Sequence, residues 1–271
     1  MTPLRIGACL LAGEIAAHRD WLFGDARDIE IQDFMSHAAL TTDRDDRIAA
    51  VRAALDGHDG RVGIHGPFEG LDIDNKDPEL QPLITARFLA ALEAADAVGA
   101  RQMVLHSPYT LWYQNNLLAG PGYAEAKLDR IHHILGPVVR AAEGMGIVLV
   151  IENIHDTRPE TRRAMVDSFG SPAIALSVDT GHAHLARRMS GAPPVDYVLR
   201  DAGAQLAHVH IQDLDGYADR HWPPGEGEIE WPAAFAALAD CPSAPHLVLE
   251  LKDHTRIPAG FAHLRDLGLA V

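Results

Sequence analysis

Six side chains able to ligate a divalent cation stand out by position. His65, His106, Glu152, Asp179, His210 and Glu250 each close, to within one residue, a different short apolar run of the chain. Imidazole nitrogen mixed with carboxylate oxygen, with no thiolate among them, suits catalytic Zn2+, Mn2+ or Fe2+ better than Ca2+ or a structural zinc. Two carboxylates side by side in a dry cleft repel each other and lose their hydration, and a bound cation relieves both costs. A single His at the end of a strand is more often a surface or supporting residue than a ligand. Six such residues at six successive run ends point to a common site.

Three more residues extend the set. His182 follows Asp179 by three positions in Val178-Asp179-Thr180-Gly181-His182. Asp219 and His221 flank Arg220 in a long connection that continues through Pro223-Pro224-Gly225-Glu226-Gly227-Glu228-Ile229. In extended backbone an Asp-x-His pair directs both side chains to one side, as two ligands of one ion require.

The elements that must position these residues are eight apolar runs, at 4–9, 29–34, 62–65, 102–106, 147–152, 173–179, 206–211 and 246–251. Each ends in a polar or glycine-containing turn. Stretches such as 78–98, 128–145 and 232–240 carry Ala and Leu at helical spacing, with Pro near the start and Gly near several ends. Strand and helix in alternation predict a parallel (β/α)8 TIM barrel. In that fold the six strand ends converge on one mouth. The 271 residues, 47% hydrophobic and 23% charged, suit a barrel of about 250 residues and one domain over 1–271. An open doubly wound sheet would carry a glycine-rich phosphate loop after its first strand, and Leu10-Leu11-Ala12-Gly13-Glu14 is not one.

Bulk composition narrows the partners. The two cysteines, Cys9 and Cys241, indicate neither a disulfide framework nor a thiolate zinc site, so a reducing, cytoplasmic setting is expected. Residues 6–13 are apolar, but five residues before Ile6 are too few for a leader, and the segment reads as the first strand. No apolar run approaches the eighteen or more residues of a membrane helix. A net charge of −15 repels nucleic acid and anionic lipid. The loop at 35–46 sets Arg44 among Asp43, Asp45 and Asp46, and the loop at 69–77 is also mostly acidic. Arg187 and Arg188 read as a solvated helix face. Among Arg158, Arg162 and Arg163, Arg158 is near enough in sequence to Glu152 to reach an anionic group on a small substrate.

The chain resembles the xylose isomerase-like barrel superfamily, which holds sugar and sugar-phosphate isomerases and epimerases and also the endonuclease IV family of abasic-site nucleases. The likeness runs over nearly the whole chain. It is carried by Ile64-His65-Gly66-Pro67-Phe68, Val104-Leu105-His106-Ser107-Pro108, Val150-Ile151-Glu152-Asn153, Val178-Asp179-Thr180-Gly181-His182, His208-Val209-His210-Ile211-Gln212-Asp213, Asp219-Arg220-His221 with its Gly225-Glu226-Gly227 turn, and Leu249-Glu250. By resemblance to the epimerases, Glu152, Asp179, His210 and Glu250 hold one ion, and Glu152 and Glu250 also move a proton on opposite faces of a carbon next to a carbonyl. By resemblance to the endonucleases there are up to three zinc ions. His65 and His106 hold a first, Glu152 bridges to a second on Asp179, His210 and Glu250, and His182, Asp219 and His221 hold a third. The implied cofactors are divalent ions, zinc or manganese.

Two functions follow. One is a metal-dependent isomerase or epimerase of a small sugar, keto-polyol or sugar phosphate, with Arg158, His182 and Arg220 as substrate-binding residues. The other is a multinuclear zinc phosphoester hydrolase of the endonuclease IV type, in which the ions activate water. The acidic loops favour the first, because a nuclease needs basic residues that track phosphates. Nucleic acid is accordingly not expected as a partner, no membrane is, and a homo-oligomer is compatible with either function.

Overall fold

In a computed structural model, which describes residues 2–117 and 120–271, the apolar runs close into a barrel of eight parallel strands in sequence order. They are β1 Gly7–Leu10, β2 Ile29–Ile31, β3 Val62–His65, β4 Gln102–His106, β5 Val148–Glu152, β6 Ile174–Asp179, β7 Leu206–Ile211 and β8 His246–Leu249. Pairing of Gly7 with Val248 and Ala8 with Leu249 closes the ring. The helices are α1 Ile15–Gly24, α2 Arg44–Ala54, α3 Gln81–Ala97, α4 Leu111–Asn115, α5 Tyr123–Met145, α6 Pro159–Asp167, α7 Thr180–Ser190, α8 Val195–Ala202, α9 Trp231–Ala239 and α10 Ile257–Asp266. The strands are buried on both faces, which is why they read as near-continuous apolar runs.

Where strand limits differ from those expected, a local bond accounts for it. Leu4 lies below β1 in an isolated bridge to Ala270, tying the two chain ends together. β2 stops at Ile31, after which the Gln32 N–H still donates to the Leu10 carbonyl while its side chain turns towards Glu250. Glu250 lies just past β8, yet its N–H donates to Ile211, so it keeps strand-end placement. Among the described residues no helix is long and apolar enough to cross a membrane.

Parallel register decides which functional side chains become neighbours. His106 sits opposite Glu152, and Asp179 opposite His210. Below them the barrel interior holds polar groups in an otherwise apolar core: Glu30, Ser177 and His208 are all buried. Arg162 is buried as well, donating to the Ile151 and Ser177 carbonyls and pairing with Asp156 at 3.3 Å. It is a strut beneath the ends of β5 and β6, whereas Arg188 lies on the exposed face expected of it.

The long connection after β7 is held by one carboxylate. Asp213, fully buried, accepts N–H bonds from Leu214 (3.0 Å), Gly225 (2.9 Å) and Ile229 (3.2 Å) and from the Trp231 indole (3.1 Å). The turn tolerates no side chain here: a Cβ on Gly227 would lie 2.3 Å from Asp213, and Gly225 has φ +92°. This explains the Gly225-Glu226-Gly227 spacing seen in the sequence. Removing the carboxylate strands four donors, so Asp213→Ala should lower unfolding free energy by about 3 kcal/mol or more, given the usual cost of unsatisfied buried donors to a charged partner. Urea denaturation checks this; a midpoint shift equivalent to under about 1 kcal/mol would refute it.

Candidate metal centre

The nine residues picked out by position meet in three groups, each with ligand atoms within 4.8 Å of one another: His65, His106 and Glu152; Glu152, Asp179, His210 and Glu250; and His182, Asp219 and His221. In the first, the Nε2 atoms of His65 and His106 approach to 3.4 Å and both face Glu152 Oε2, at 3.8 and 3.5 Å. In the second, His210 Nδ1 lies 3.1 Å from Glu152 Oε1 and 3.4 Å from Glu250 Oε2. In the third, Asp219 Oδ1 lies 3.4 Å from His182 Nε2 and 3.1 Å from His221 Nε2. Glu152 belongs to two groups and touches the third through His182 Nδ1 at 3.3 Å.

Each of four imidazoles is fixed from behind. His65 Nδ1 bonds to the Gly66 carbonyl (2.8 Å), His182 Nδ1 to the Asn153 carbonyl (3.1 Å) and His221 Nδ1 to the Glu250 carbonyl (3.1 Å). A carbonyl can only accept, so each Nδ1 carries the proton and each Nε2 is left for a ligand. His210 is reversed: its Nε2 faces the Glu30 carboxylate at 3.0 Å, which leaves Nδ1 for the cluster. His221 adopts φ +50°, a conformation a non-glycine residue keeps only where its surroundings hold it. The carboxylates are oriented too. Asp179 caps α7 by accepting from the His182 N–H, Asn153 clasps the Asp179 backbone at 2.9 and 3.0 Å, and Gln32 donates to Glu250 Oε1 at 3.0 Å.

Two buried carboxylate oxygens, Glu152 Oε2 and Asp179 Oδ2, have no hydrogen-bond partner. An oxygen left so in a dry site is costly, and both residues belong to the groups just described, so the donor set fits divalent cations. In the protein alone the imidazoles balance the charge. Burial pulls His210 and His182 down, but Glu250, Glu30 and Glu152 around the first and Asp179, Asp219 and Glu152 around the second hold both well above the usual imidazole range. Against burial, Asp219 and Glu250 push His221 up to about 9. Burial raises Glu152, and the imidazoles of His210, His182 and His65 more than reverse this. Burial also moves His106 down to about 3 and Asp179 up to about 6.

The mouth is a cleft of about 390 Å3 whose walls add Gln32, Phe68, Ile154, Lys252 and His254 to the candidate ligands other than the fully buried Asp179 and His210. The expected substrate-binding arginines are not among its walls. Arg158 is exposed at the start of α6. Arg220 pairs with Asp215 at 3.0 Å and lies over the Tyr217 and Trp222 rings. Nearness to a ligand in sequence does not bring a side chain into the cleft: Arg220 is taken up by Asp215 and the neighbouring rings, and Arg158 stays on the surface. His182 does line the cleft. Glu30, which supports His210 from behind, is a candidate that spacing along the chain does not single out; its signal is a lone carboxylate inside the apolar run Ile29-Glu30-Ile31.

The fold is a closed (β/α)8 barrel, and nine His, Asp and Glu side chains at its C-terminal mouth form groups that could hold cations. The chain belongs to the xylose isomerase-like TIM barrel family, whose model matches residues 25–267. An uncharacterized protein of Methanocaldococcus jannaschii is 27% identical over 65% of this chain, which spans 59% of that relative's length. The TTHB071 protein from Thermus thermophilus, solved after soaking with ZnCl2, is 26% identical with a TM-score of 0.73, covering 97% of this chain and 98% of that one. A D-tagatose 3-epimerase-like protein of known structure is 21% identical with a TM-score of 0.75, covering 97% and 96%, and supports the fold.

Two outcomes follow from this geometry. At saturating metal the chain should hold more than one ion, and replacing Asp219 and His221 together by Ala should remove about one while the rest stay, since the third group is a local set. Elemental analysis after gel filtration measures both; one ion per wild-type chain would rule out the multinuclear site. Imidazoles protonated near pH 7 must lose those protons to bind metal, so affinity should weaken as pH falls below about 9, where His221 takes up its proton. Calorimetric titration at pH 7 in buffers of different ionisation enthalpy should register release of roughly two protons or more per loaded chain. Buffer-independent heats would contradict it.

Proposed function

We propose that the chain is a divalent-metal-dependent isomerase or epimerase acting on a small sugar, keto-polyol or sugar phosphate by carboxylate-mediated proton transfer. The observation that carries this function is the pair Glu152 and Glu250, two buried carboxylates that both approach His210 Nδ1 from different strand ends. Glu152, Asp179, His210 and Glu250 would hold the ion, which when bound supplies Lewis acidity to a carbonyl and its neighbouring hydroxyl. One carboxylate would take a proton from the carbon beside the carbonyl and the other deliver one from the opposite side, each exchanging with water between turnovers. Gln32, donating to Glu250 Oε1, leaves Oε2 as that residue's free edge. The epimerase-like fold neighbour and the family membership support this choice.

The gathering of all nine candidate ligands into three groups favours a second function, a multinuclear phosphoester hydrolase of the abasic-site endonuclease type. A net charge of −15 weighs against DNA, whose binding derives mostly from phosphate neutralisation.

The two functions separate in one experiment. Turnover of a ketose panel in D2O should place deuterium on substrate carbon. Glu152→Gln and Glu250→Gln should each abolish that exchange, by at least about a hundredfold, with the metal of the four-residue group retained. In a hydrolase, loss of Glu152 would show first as lost metal and no carbon-bound hydrogen would exchange. No exchange across the panel, combined with cleavage of a sugar phosphodiester or an abasic-site duplex, overturns the isomerase.

A further inference from the structure

We propose that a side cleft opening off the metal mouth is an oxyanion subsite, which holds the phosphate or carboxylate of a charged sugar; this rests on the sugar-active function above and names its substrate class. The side cleft, about 420 Å3, adjoins the mouth along Phe68, His106 and Ile154, so a ligand that reaches past His106 comes to its wall. Each volume is of the size that binds a small molecule.

Lysine placement is the first indication of charge. Lys76, Lys127 and Lys252 are the only lysines in a chain of net charge −15, and all three line these two clefts. Lys252 is committed to the Asp219 carbonyl at 2.7 Å. Lys127, buried, is bound to the Asp74 carboxylate and the Pro108 carbonyl, with its ammonium 5.3 and 5.0 Å from the Tyr109 and Tyr113 ring centres. That contact neutralises Asp74 and fixes the loop after β3 against α5. Arg130, three residues further along α5, donates its Nε–H to the Asp74 carbonyl at 3.0 Å. The anchor holds the guanidinium at the cleft wall, and among the described residues neither Arg130 nor Lys76 has an ion-pair partner. Asp72 is the one other carboxylate on this lining, so two uncommitted cations face it.

A planar guanidinium and a mobile ammonium on one wall suit an oxyanion: the first binds it in a fixed fork, the second as a point charge. The location has a structural reason. Barrels commonly bind phosphate with the loops after their last two strands, but here the loop after β7 presents Asp219 and His221 to the third candidate metal group. The β3 side is left for the anion, in place of Arg158, which lies outside both clefts.

Titration calorimetry on the metal-loaded protein tests the subsite with D-fructose, D-fructose 6-phosphate, D-glucuronate and inorganic phosphate, in wild type and in the double variant Lys76→Gln, Arg130→Gln. The phosphorylated ketose should bind about tenfold or more tightly than the free ketose, and the double variant should bring that ratio within about twofold of one without changing metal content or free-ketose affinity. Comparison of the phosphate and uronate losses identifies which oxyanion is preferred. An undiminished ratio in the variant would mean that phosphate sits on the metals alone and overturns the subsite, as would a wild type indifferent to the phosphate. Should no sugar bind, the sugar-active function fails separately. Inorganic phosphate then decides the subsite: affinity lowered about tenfold by the double variant supports it, and unchanged or absent binding rejects it.

Discussion

Five carboxylates, Glu30, Glu152, Asp179, Asp219 and Glu250, converge at one end of a barrel whose interior is otherwise apolar. Four of them, Glu30, Glu152, Asp179 and Glu250, are buried, and holding that much like charge away from water, with the more exposed Asp219 beside it, is the constraint on which the site's architecture depends. In the metal-free protein the compensation comes from imidazoles, which is why His182, His210 and His221 are held in their protonated forms. Cations take over that role when they bind. The same field therefore accounts for the number of histidines and their shifted protonation, and it is what would draw a cation to the site.

Glu30 shows how far beneath the mouth this constraint reaches. His210 Nε2 hydrogen-bonds to it at 3.0 Å, His208 Nε2 lies 3.0 Å from its other oxygen, and His208 in turn meets Ser177 through Nδ1 at 2.8 Å. A chain of buried polar contacts thus runs inward from the candidate metal group. Burial raises the Glu30 carboxyl, but the two imidazoles outweigh it and hold Glu30 well below the usual range. The retained charge keeps His210 turned with Nδ1 outward, a supporting role that commonly accompanies metal-ligating histidines.

The barrel and the nine candidate ligands were legible because parallel strands end in a ring, so position along an apolar run translates into position around the mouth. His65, His106, Asp179 and His210 needed no more than that. Other features depend on side-chain direction and on contacts between distant segments, which spacing does not encode. Arg158 and Arg220 were expected at the substrate on sequence proximity and turn elsewhere. Arg162 reads as a surface cation until its backbone partners on β5 and β6 are seen. Lys76, Lys127 and Arg130 lie far apart in the chain, and a loop tied to a helix through Asp74 is what unites them.

The candidate ligands fall into two mechanical tiers. Those of the first two groups stand at strand ends, where ladder bonds such as Glu250 N–H to Ile211 fix the backbone. In the third group His182 sits on the first turn of α7, but Asp219 and His221 ride on a connection held chiefly by Asp213. A site on strands is positioned more sharply than one on a loop. The four-residue core is thus preformed for a cation, whereas the third group depends on the loop remaining docked. Proton transfer by Glu152 and Glu250 requires only the preformed tier; hydrolysis with ions on both sides of a phosphoester would require both. The mechanical division of the site therefore runs along the same line as the chemical division between its two candidate functions.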